Sequence, residues 1–283
     1  MRHIETLDAK SGASDGRLAG IRQRDGKPLA AHYTDEFIAR LQLVWGAGFL
    51  SPGGPQEVAE VVRDLDLEGR RVLDIGCGTG APAIVLARDF GARVVCVDVE
   101  PQLLDHARRN ADGADVSDRI EFIKVEPGPL PFEADAFDIV FSKDSLIHIP
   151  DKQALYAGVL RVLKPGGWLA ASDWLAGEDA AADPDFAKYL ELSHLDFAMA
   201  TAAETAAILR EAGFADVATR DRNAWYAGLS ASEVVQIEGP LRQPIIDVAG
   251  EETYAHWLQV RRMLARSVAN GSLRPTHLRG RKP

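Results

Sequence analysis

A short apolar run followed by three closely spaced glycines is the feature that most constrains the fold of this chain. Val72 begins a strand-like segment that enters a turn with Gly76, Gly78 and Gly80, and a helical pattern follows from Pro82. Glycines let the backbone turn sharply and approach a ligand, while the first N–H groups of the helix face its polar atoms. The pattern predicts a nucleotide-type cofactor site. A dinucleotide site and a tight turn without a ligand are the alternatives.

Composition restricts the partners. The chain has 283 residues, 46 % of them hydrophobic and 26 % charged, which is typical of a globular protein, and its formal net charge is −10. That charge disfavours nucleic acid and anionic membranes. Because there is no run of 18 apolar residues and the N-terminus is polar, we expect neither a membrane span nor a signal peptide. We expect no disulfide between Cys77 and Cys96, no bound metal, a cytoplasmic location, and a monomer or homodimer.

Strand-like and helical patterns alternate after residue 70, which predicts parallel strands joined by right-handed crossovers. The expected fold class is α/β, a doubly wound, mostly parallel seven-stranded sheet, with an N-terminal lid helix and a helical insertion on the substrate side. Ligands of such sheets bind at the carboxyl ends of the strands. The predicted strands are 71–75, 93–98, 120–125, 137–142, 167–174, 214–220 and 277–282, and the predicted helices include 55–65, 81–90, 101–111, 151–163, 178–200 and 203–212, with 223–270 mostly helical.

The same patterns divide the chain into four parts. Residues 1–24 are polar and expected to be disordered, and 25–55 are expected to hold the lid helix and a loop for the carboxylate of a cofactor. Residues 56–175 form the predicted cofactor-binding core. Residues 176–283 form a predicted helical substrate region that also supplies the final strands of the sheet.

Two aspartates favour one cofactor over another. Asp98 ends the second predicted strand, at the position from which an acidic side chain meets ribose hydroxyls. Asp74 lies two residues before Gly76, where a carboxylate would repel a pyrophosphate but attract an ammonium group and a cationic sulfur. This pair of aspartates points to S-adenosylmethionine and away from NAD.

A second marker is the return of the chain into the sheet after a predicted helix. Lys164 is followed by Pro165, Gly166 and Gly167, and an apolar strand begins at once. Together with the glycine turn and Asp98, this segment resembles the class I S-adenosylmethionine-dependent methyltransferases over residues 56–175. That resemblance implies S-adenosylmethionine as cofactor and S-adenosylhomocysteine as product.

A narrower resemblance, to the phosphoethanolamine N-methyltransferases, extends from residue 33 to about 220. It rests on the segments 33–36, 50–54, 142–149 and 172–174. In that family, residues matching Tyr33 and His148 form a catalytic dyad, and an aspartate matching Asp144 meets the substrate amine. A serine matching Ser51 helps to hold the methionine carboxylate. We also expect the remaining cofactor contacts to come from Leu50, Val99, Glu126, Pro127 and Lys143.

The expected chemistry explains these residue types. Only an unprotonated amine has the lone pair that can attack a sulfonium methyl group, and near pH 7 a simple alkylamine is mostly protonated. An imidazole, with an unperturbed pKa of about 6.5, is suited to remove that proton. His148 is therefore the predicted base, Tyr33 orients it, and Asp144 holds the amine.

The chain departs from the family pattern at both ends of the site. Pro127 has no N–H to meet the adenine ring, and Glu126 replaces an aspartate beside it. Of the positions that meet phosphate in the family, Tyr189 matches, whereas the others differ. They carry Trp174, Ser193 and Leu195, and a further active-site tyrosine is replaced by Leu41. Trp174, Tyr189 and Arg262, with Arg261 or Arg266 as other sources of charge, are the expected substrate contacts, and the far end of the acceptor need not be a phosphate.

The sequence therefore predicts a small-molecule N-methyltransferase. An O- or C-methyltransferase of a natural product, or an amino-acid N-methyltransferase, would use the same fold. An NAD-dependent oxidoreductase and a cofactor-binding protein without catalysis are the more distant alternatives.

Overall fold

The computed structural model describes residues 21–22, 33–193 and 197–283. Its strands are β1 (Ile21–Arg22), β2 (Arg71–Ile75), β3 (Arg93–Asp98), β4 (Ile120–Lys124), β5 (Phe137–Lys143), β6 (Leu163–Ala176), β7 (Ala198–Met199), β8 (Ala215–Asp221) and β9 (Leu273–Arg281). Its helices are α1 (Asp35–Trp45), α2 (Gly54–Val61), α3 (Ala81–Phe90), α4 (Pro101–Gly113), α5 (Lys152–Val162), α6 (Pro184–Ser193), α7 (Ala202–Glu211), α8 (Asn223–Glu238) and α9 (Arg242–Ala269).

Seven of these strands form one sheet in the order β4-β3-β2-β5-β6-β9-β8. The first five are parallel, and β9 runs antiparallel to both β6 and β8. The strand order reverses between β2 and β5, so the loops after these two strands diverge and leave room for a ligand. The predicted doubly wound, mostly parallel sheet is confirmed.

Fully buried residues explain why β2 is an inner strand of the sheet. Val72 and Leu73 point to opposite faces of the sheet, and both are fully buried. Val72 packs in the cluster beneath α3, and Leu73 packs in the cluster on the other face, which includes residues of α5 and α7. A continuous apolar strand of this kind is expected where helices cover both faces of a parallel sheet.

Helices α1, α8 and α9 form a layer of their own, the helical cap. Its core contains Leu41, Ile237, Tyr254 and Trp257. Thr34 caps α1 by accepting a hydrogen bond from the Phe37 N–H at 3.2 Å. In the part of the chain that the structure describes, none of the helices is long and apolar enough to cross a membrane.

The largest difference from the sequence prediction lies in the segment 178–200. It is not one helix, because Pro184 starts α6 only after a turn, and the chain is extended again in β7. β7 pairs with β1, so Ile21 and Arg22 are in a short strand; the rest of 1–24 lies outside the described residues, as does Leu195.

Smaller differences concern the ends of elements. The predicted helix 55–65 already ends at Val61. β6 begins at Leu163, because that residue pairs with Phe137 across an irregular register at the Pro165 turn. The segment 223–270 consists of two helices separated at Gly239, and Gly250 interrupts the second with a left-handed φ of 82°.

A buried polar network fastens the helical cap. The indole N–H of Trp45 donates to Glu233 Oε1 at 2.8 Å. Arg261 donates to the other oxygen of Glu233 and, at 3.0 Å, to the hydroxyl of Tyr226. Glu233 and Arg261 are each 5 % exposed. The network joins α1, α8 and α9 and adds a buried ion pair to their apolar contacts.

Replacing one partner of this pair leaves a charge buried without its counter-ion. We expect Glu233→Ala to lower the free energy of unfolding by about 3–5 kcal/mol. The matched control is Glu238→Ala on the same helix, which removes an exposed pair with Arg262 and should cost about 1 kcal/mol or less. Urea denaturation of both variants measures the difference. Equal losses would contradict this role of Glu233.

Candidate active site

The turn between β2 and α3 can be built only from glycine at several positions. Gly76, Gly78 and Gly80 have φ values of 70°, 56° and 87°. A Cβ on Gly76 would lie 1.7 Å from the Ser145 hydroxyl, and one on Gly80 would lie 2.9 Å from the Cβ of Ala107. Left-handed backbone and a close approach on both sides therefore exclude other residues.

Asp98 stabilises this turn from the end of β3. Its carboxylate accepts the N–H of Gly78 at 2.9 Å and that of Glu100 at 3.0 Å, and the Val99 N–H also donates to it. Burial raises the pKa of this carboxyl, and the backbone donors partly oppose that rise. Asp98, the residue predicted to bind the ribose hydroxyls, therefore lies beside the glycine turn, and Val99 lies in the same loop.

Asp74 is the unsatisfied group of the site. Its side chain is 1 % exposed, and its Oδ2 has no hydrogen-bond partner. Burial, and the neighbouring charge of Asp98, raise the pKa of Asp74 to about 8. A buried acceptor without a partner is costly unless a ligand supplies a donor. An ammonium group would satisfy this oxygen, and S-adenosylmethionine carries one.

The loop before α2 reaches the same edge of the sheet. The side chain of Leu50 covers the turn, because it lies 3.1 Å from the position that a Cβ on Gly78 would take. The ammonium of Lys143 donates to Ser51 Oγ at 2.7 Å, to the Pro52 carbonyl at 2.8 Å and to Asp144 Oδ2 at 2.6 Å. Lys143 therefore ties this loop to the end of β5.

Asp144 is held in one orientation. It has a left-handed φ of 56°, and its N–H donates to the Ser172 carbonyl at 2.8 Å. Its Oδ1 accepts the Ser172 hydroxyl at 2.8 Å. A small cleft opens beside it, lined among others by Pro52, Lys143, Asp144, Ser172, Trp174 and His277. The lining does not include Tyr33 or His148.

Tyr33 and His148 have different neighbours. Tyr33 precedes α1, and burial, together with the charges of Asp98 and Glu100, raises the pKa of its phenol. The ring of His148 stacks on Phe197 with centroids 5.6 Å apart. Tyr33 thus stands on the cofactor side, and His148 stands among the aromatic side chains of the substrate region.

Asp173 and Lys152 hold the backbone turn that carries His148. The sequence analysis did not predict this role for either residue. The Ile147 N–H donates to Asp173 Oδ1 at 3.1 Å, and the Lys152 ammonium donates to the Leu146 carbonyl. Asp173 is 1 % exposed, and burial raises its pKa to about 7. Both side chains position the turn of His148.

Of the three residues expected to contact the substrate, Tyr189 and Trp174 lie at the site and Arg262 does not. Tyr189 stacks on Phe197 at 5.9 Å, so it shares the aromatic wall of His148. Trp174 lines the Asp144 cleft and contacts Tyr226 edge to face at 4.9 Å. Arg262 points elsewhere, because it pairs with Glu238 on the exposed side of α9.

Two further positions complete the comparison with the sequence. The Glu126 carboxylate is exposed and pairs with Lys124, and Pro127 follows it in the loop after β4. Ser193 donates to the Leu190 carbonyl at 3.0 Å.

The sequence analysis did not predict the polar cluster that Glu57 and His277 form in the wall of the cleft. His277 Nε2 donates to Glu57 Oε1 at 2.6 Å, and its Nδ1 accepts from Arg220 at 2.9 Å. Burial lowers the pKa of His277, and Arg222 also donates to Glu57. Glu57 and His277 lie 220 positions apart, so no sequence motif could have joined them.

Comparison with known proteins agrees with this geometry. Residues 72–167 match a family model described as a methyltransferase domain. The chain is 32 % identical over 221 residues to phosphoethanolamine N-methyltransferase 3 of Arabidopsis thaliana, covering 78 % of this chain and 44 % of that protein. It is 35 % identical over 163 residues to 27-O-demethylrifamycin SV methyltransferase of Amycolatopsis mediterranei, covering 56 % of this chain and 60 % of that enzyme.

A solved structure shares the fold. Haemonchus contortus phosphoethanolamine N-methyltransferase 2, in complex with phosphomonomethylethanolamine and S-adenosylhomocysteine, superposes with a TM-score of 0.81 at 24 % identity. The match covers 89 % of this chain and 59 % of that one. This chain thus spans less than half the length of its Arabidopsis relative and under two thirds of the Haemonchus protein.

Residues 72–167 thus form a methyltransferase domain, and the sheet order and the glycine turn are those of the class I S-adenosylmethionine-dependent methyltransferases. Its cofactor is S-adenosylmethionine, and the unpaired Asp74 and the glycine turn fit that group.

The buried carboxyl of Asp74 predicts a pH-dependent affinity for the cofactor product. Since the pKa of Asp74 is about 8, the side chain is mostly protonated at pH 6, and an ammonium ligand binds its ionised form. We expect the affinity for S-adenosylhomocysteine to rise by about tenfold per pH unit from pH 6 to 7 and to level off above pH 8.

Isothermal titration calorimetry between pH 6 and 9 measures this dependence. Asp74→Asn, which cannot ionise, is the matched control and should bind more weakly, with an affinity that changes little over the same range. A flat profile for the wild-type protein would contradict the assignment of Asp74 to the ammonium group.

Proposed function

We propose that this methyltransferase methylates the nitrogen of a small amine. The observation that carries the proposal is the placement of Asp144, whose carboxylate is fixed at the end of β5 beside a cleft and next to the glycine turn. A carboxylate offers about four acceptor sites, so it can hold an amine N–H while it keeps Lys143 and Ser172. The similarity to the Arabidopsis N-methyltransferase supports this choice of acceptor atom.

Several groups of this chain would hold the cofactor. Asp74 accepts its ammonium group, Asp98 accepts its ribose hydroxyls, and Ser51 receives its carboxylate. When bound, S-adenosylmethionine supplies a methyl group on a cationic sulfur. Tyr33, beside Asp98, covers this side of the site and excludes water.

His148 would remove the proton that prevents attack by the amine. Its turn begins just after Asp144, and Asp173 and Lys152 fix the backbone of that turn. The imidazole takes the proton from the ammonium form of the acceptor, and Asp144 keeps the freed nitrogen aligned. In the closed complex Tyr33 orients His148, as the resemblance to the phosphoethanolamine N-methyltransferases implies.

One similarity favours a second candidate function. The rifamycin enzyme of Amycolatopsis is named for an O-methylation, and it is 35 % identical over its matched region. A hydroxyl acceptor on a natural product would use the same cofactor site and would place a C–O–H group at Asp144.

Turnover of a panel of acceptors distinguishes the two candidates. Ethanolamine, N-methylethanolamine, phosphoethanolamine, glycine and sarcosine would be compared with phenolic and aliphatic alcohols, and the methylated atom would be identified by mass spectrometry. N-methylated products support the proposal. Methylation of hydroxyls alone would replace it with the second candidate, and absence of S-adenosylhomocysteine binding would overturn both.

Removal of the proposed base has a specific kinetic signature. We expect His148→Ala to lower kcat for an alkylamine at pH 7 by about 100-fold or more, since general base catalysis supplies rate enhancements of that size. The loss should shrink above pH 9, where more of the amine is already unprotonated. Unchanged calorimetric affinity for S-adenosylhomocysteine is the control, and an undiminished kcat at pH 7 would exclude this role.

Removal of the charge on Asp144 should act on amine binding. We expect Asp144→Asn to raise KM for the amine by about 10- to 100-fold, the size of one charge-assisted hydrogen bond. Ser172→Ala is the graded comparison, because it removes only the hydroxyl that orients Asp144. Steady-state kinetics gives both values. If Asp144→Asn changes KM no more than Ser172→Ala does, the carboxylate does not bind the amine.

A further inference from the structure

Ser145 faces the glycine turn from the loop after β5. The strand order reverses between β2 and β5, so the loops after these two strands enclose the crevice in which ligands of such sheets bind. Gly76 lies in the first of these loops and Ser145 lies in the second. A Cβ on Gly76 would lie 1.7 Å from Ser145 Oγ and 2.6 Å from Ser145 Cβ. The hydroxyl therefore stands at this crevice, against the turn that holds the cofactor.

The hydroxyl of Ser145 takes no part in the local hydrogen bonding. Ser145 is the N-cap residue of the turn 146–148, a position at which a serine side chain usually accepts a backbone N–H. Here the His148 N–H donates to the Ser145 carbonyl at 3.1 Å, and the side chain makes no capping bond. Among the residues that the structure describes, none forms a hydrogen bond with the Ser145 hydroxyl.

Two other serines at this edge of the sheet differ from Ser145. Ser142 donates to the Ile75 carbonyl at 2.8 Å, and Ser172 donates to the Asp144 carboxylate at the same distance. Ser145 is half-buried, and its Oγ is not one of the fully buried polar atoms without a partner. A ligand in the crevice can therefore reach this oxygen.

The place of Ser145 in the chain joins the two groups proposed for the chemistry. Asp144, which is proposed to hold the amine, precedes it, and the turn that ends in His148, the proposed base, follows it. A hydroxyl oxygen has two lone pairs that accept hydrogen bonds. The neutral primary amine that remains after loss of a proton has two N–H groups and one lone pair. It needs two acceptors if only its lone pair is to face the methyl group.

We propose that the Ser145 hydroxyl accepts an N–H of the acceptor amine, so that the site selects primary amines over N-methylated ones. This inference rests on the proposed transfer to nitrogen. Asp144 accepts one N–H and Ser145 accepts the other, which directs the lone pair of the nitrogen. A secondary amine has one N–H and keeps only one of these contacts, and a tertiary amine keeps neither. Transfer therefore slows after the first methyl group.

Removal of the hydroxyl tests the inference. Ser145→Ala keeps the Cβ that packs on Gly76, and Ser145→Thr keeps the hydroxyl. Ser232→Ala is the matched control, because Ser232 is exposed on α8. The probes are ethanolamine and N-methylethanolamine, which differ by one N–H. Steady-state kinetics gives kcat and KM for both, mass spectrometry identifies the methylated atom, and calorimetry gives the affinity for S-adenosylhomocysteine.

We expect the wild type and Ser232→Ala to methylate ethanolamine with a kcat about fivefold or more above that for N-methylethanolamine. Ser145→Ala should lower kcat for ethanolamine by about five- to tenfold, the size of one hydrogen bond, and that for N-methylethanolamine by less than about twofold. Ser145→Thr should restore most of the ethanolamine rate, and the affinity for S-adenosylhomocysteine should stay unchanged in both variants.

Equal losses for the two amines would make Ser145 a packing residue and overturn the inference. A weaker affinity of Ser145→Ala for S-adenosylhomocysteine would assign the hydroxyl to the cofactor instead. A wild-type preference for N-methylethanolamine, or no N-methylated product from either amine, would also overturn it. N-methylation with an unchanged ratio of the two kcat values overturns this inference alone, whereas transfer to the ethanolamine hydroxyl overturns the proposed function.

Discussion

Both the cofactor side and the acceptor side of the site depend on the hydrogen bonds of the buried Lys143 ammonium. It joins a loop that lies over the glycine turn to the carboxylate of Asp144, and its side chain is 1 % exposed. An ammonium so far from water is tolerated only when all its donors are satisfied. The three bonds to Ser51, Pro52 and Asp144 meet that requirement, and they also fix the distance between the cofactor side and the acceptor side.

The opposite arrangement is found at Asp74. Here the fold buries a carboxyl group and leaves one oxygen without a hydrogen-bond partner, which lowers the stability of the folded protein. The neighbouring charge of Asp98 adds to that cost. A cationic ligand relieves both, because it neutralises the charge and supplies the missing donor. The hydrogen bonds of Lys143 are thus made within the protein, whereas Oδ2 of Asp74 needs a donor from a ligand.

The features that sequence analysis predicted well are those encoded within a few residues. The turn from β2 into α3 needs glycines at fixed spacing, and the alternation of strands and helices predicts parallel strands joined by crossovers. The break in the segment 178–200 was also local, since Pro184 stands where a helix would begin, but the apolar residues on both sides outweighed that signal in the sequence pattern.

The features that were missed depend on contacts between distant segments. The sequence did not predict that Lys143 would bond to Ser51 and Pro52, because these partners lie about 90 positions away in the chain. Its contact with the cofactor stays a prediction. The choice between Arg261 and Arg262 could not be made without the packing of α9 on α8. Neighbouring residues of a helix point about 100° apart, so one arginine is buried against Glu233 and the other is exposed.

These contacts also limit how far the similarity to phosphoethanolamine N-methyltransferases can be carried. The segments on which that resemblance rests are 33–36, 50–54, 142–149 and 172–174. The wall beyond them is built from Trp174, Tyr226 and Glu57, whose charge is compensated by Arg222. A site that neutralises its own cations has little electrostatic free energy left to offer a doubly charged anion. The choice of acceptor therefore depends on this wall.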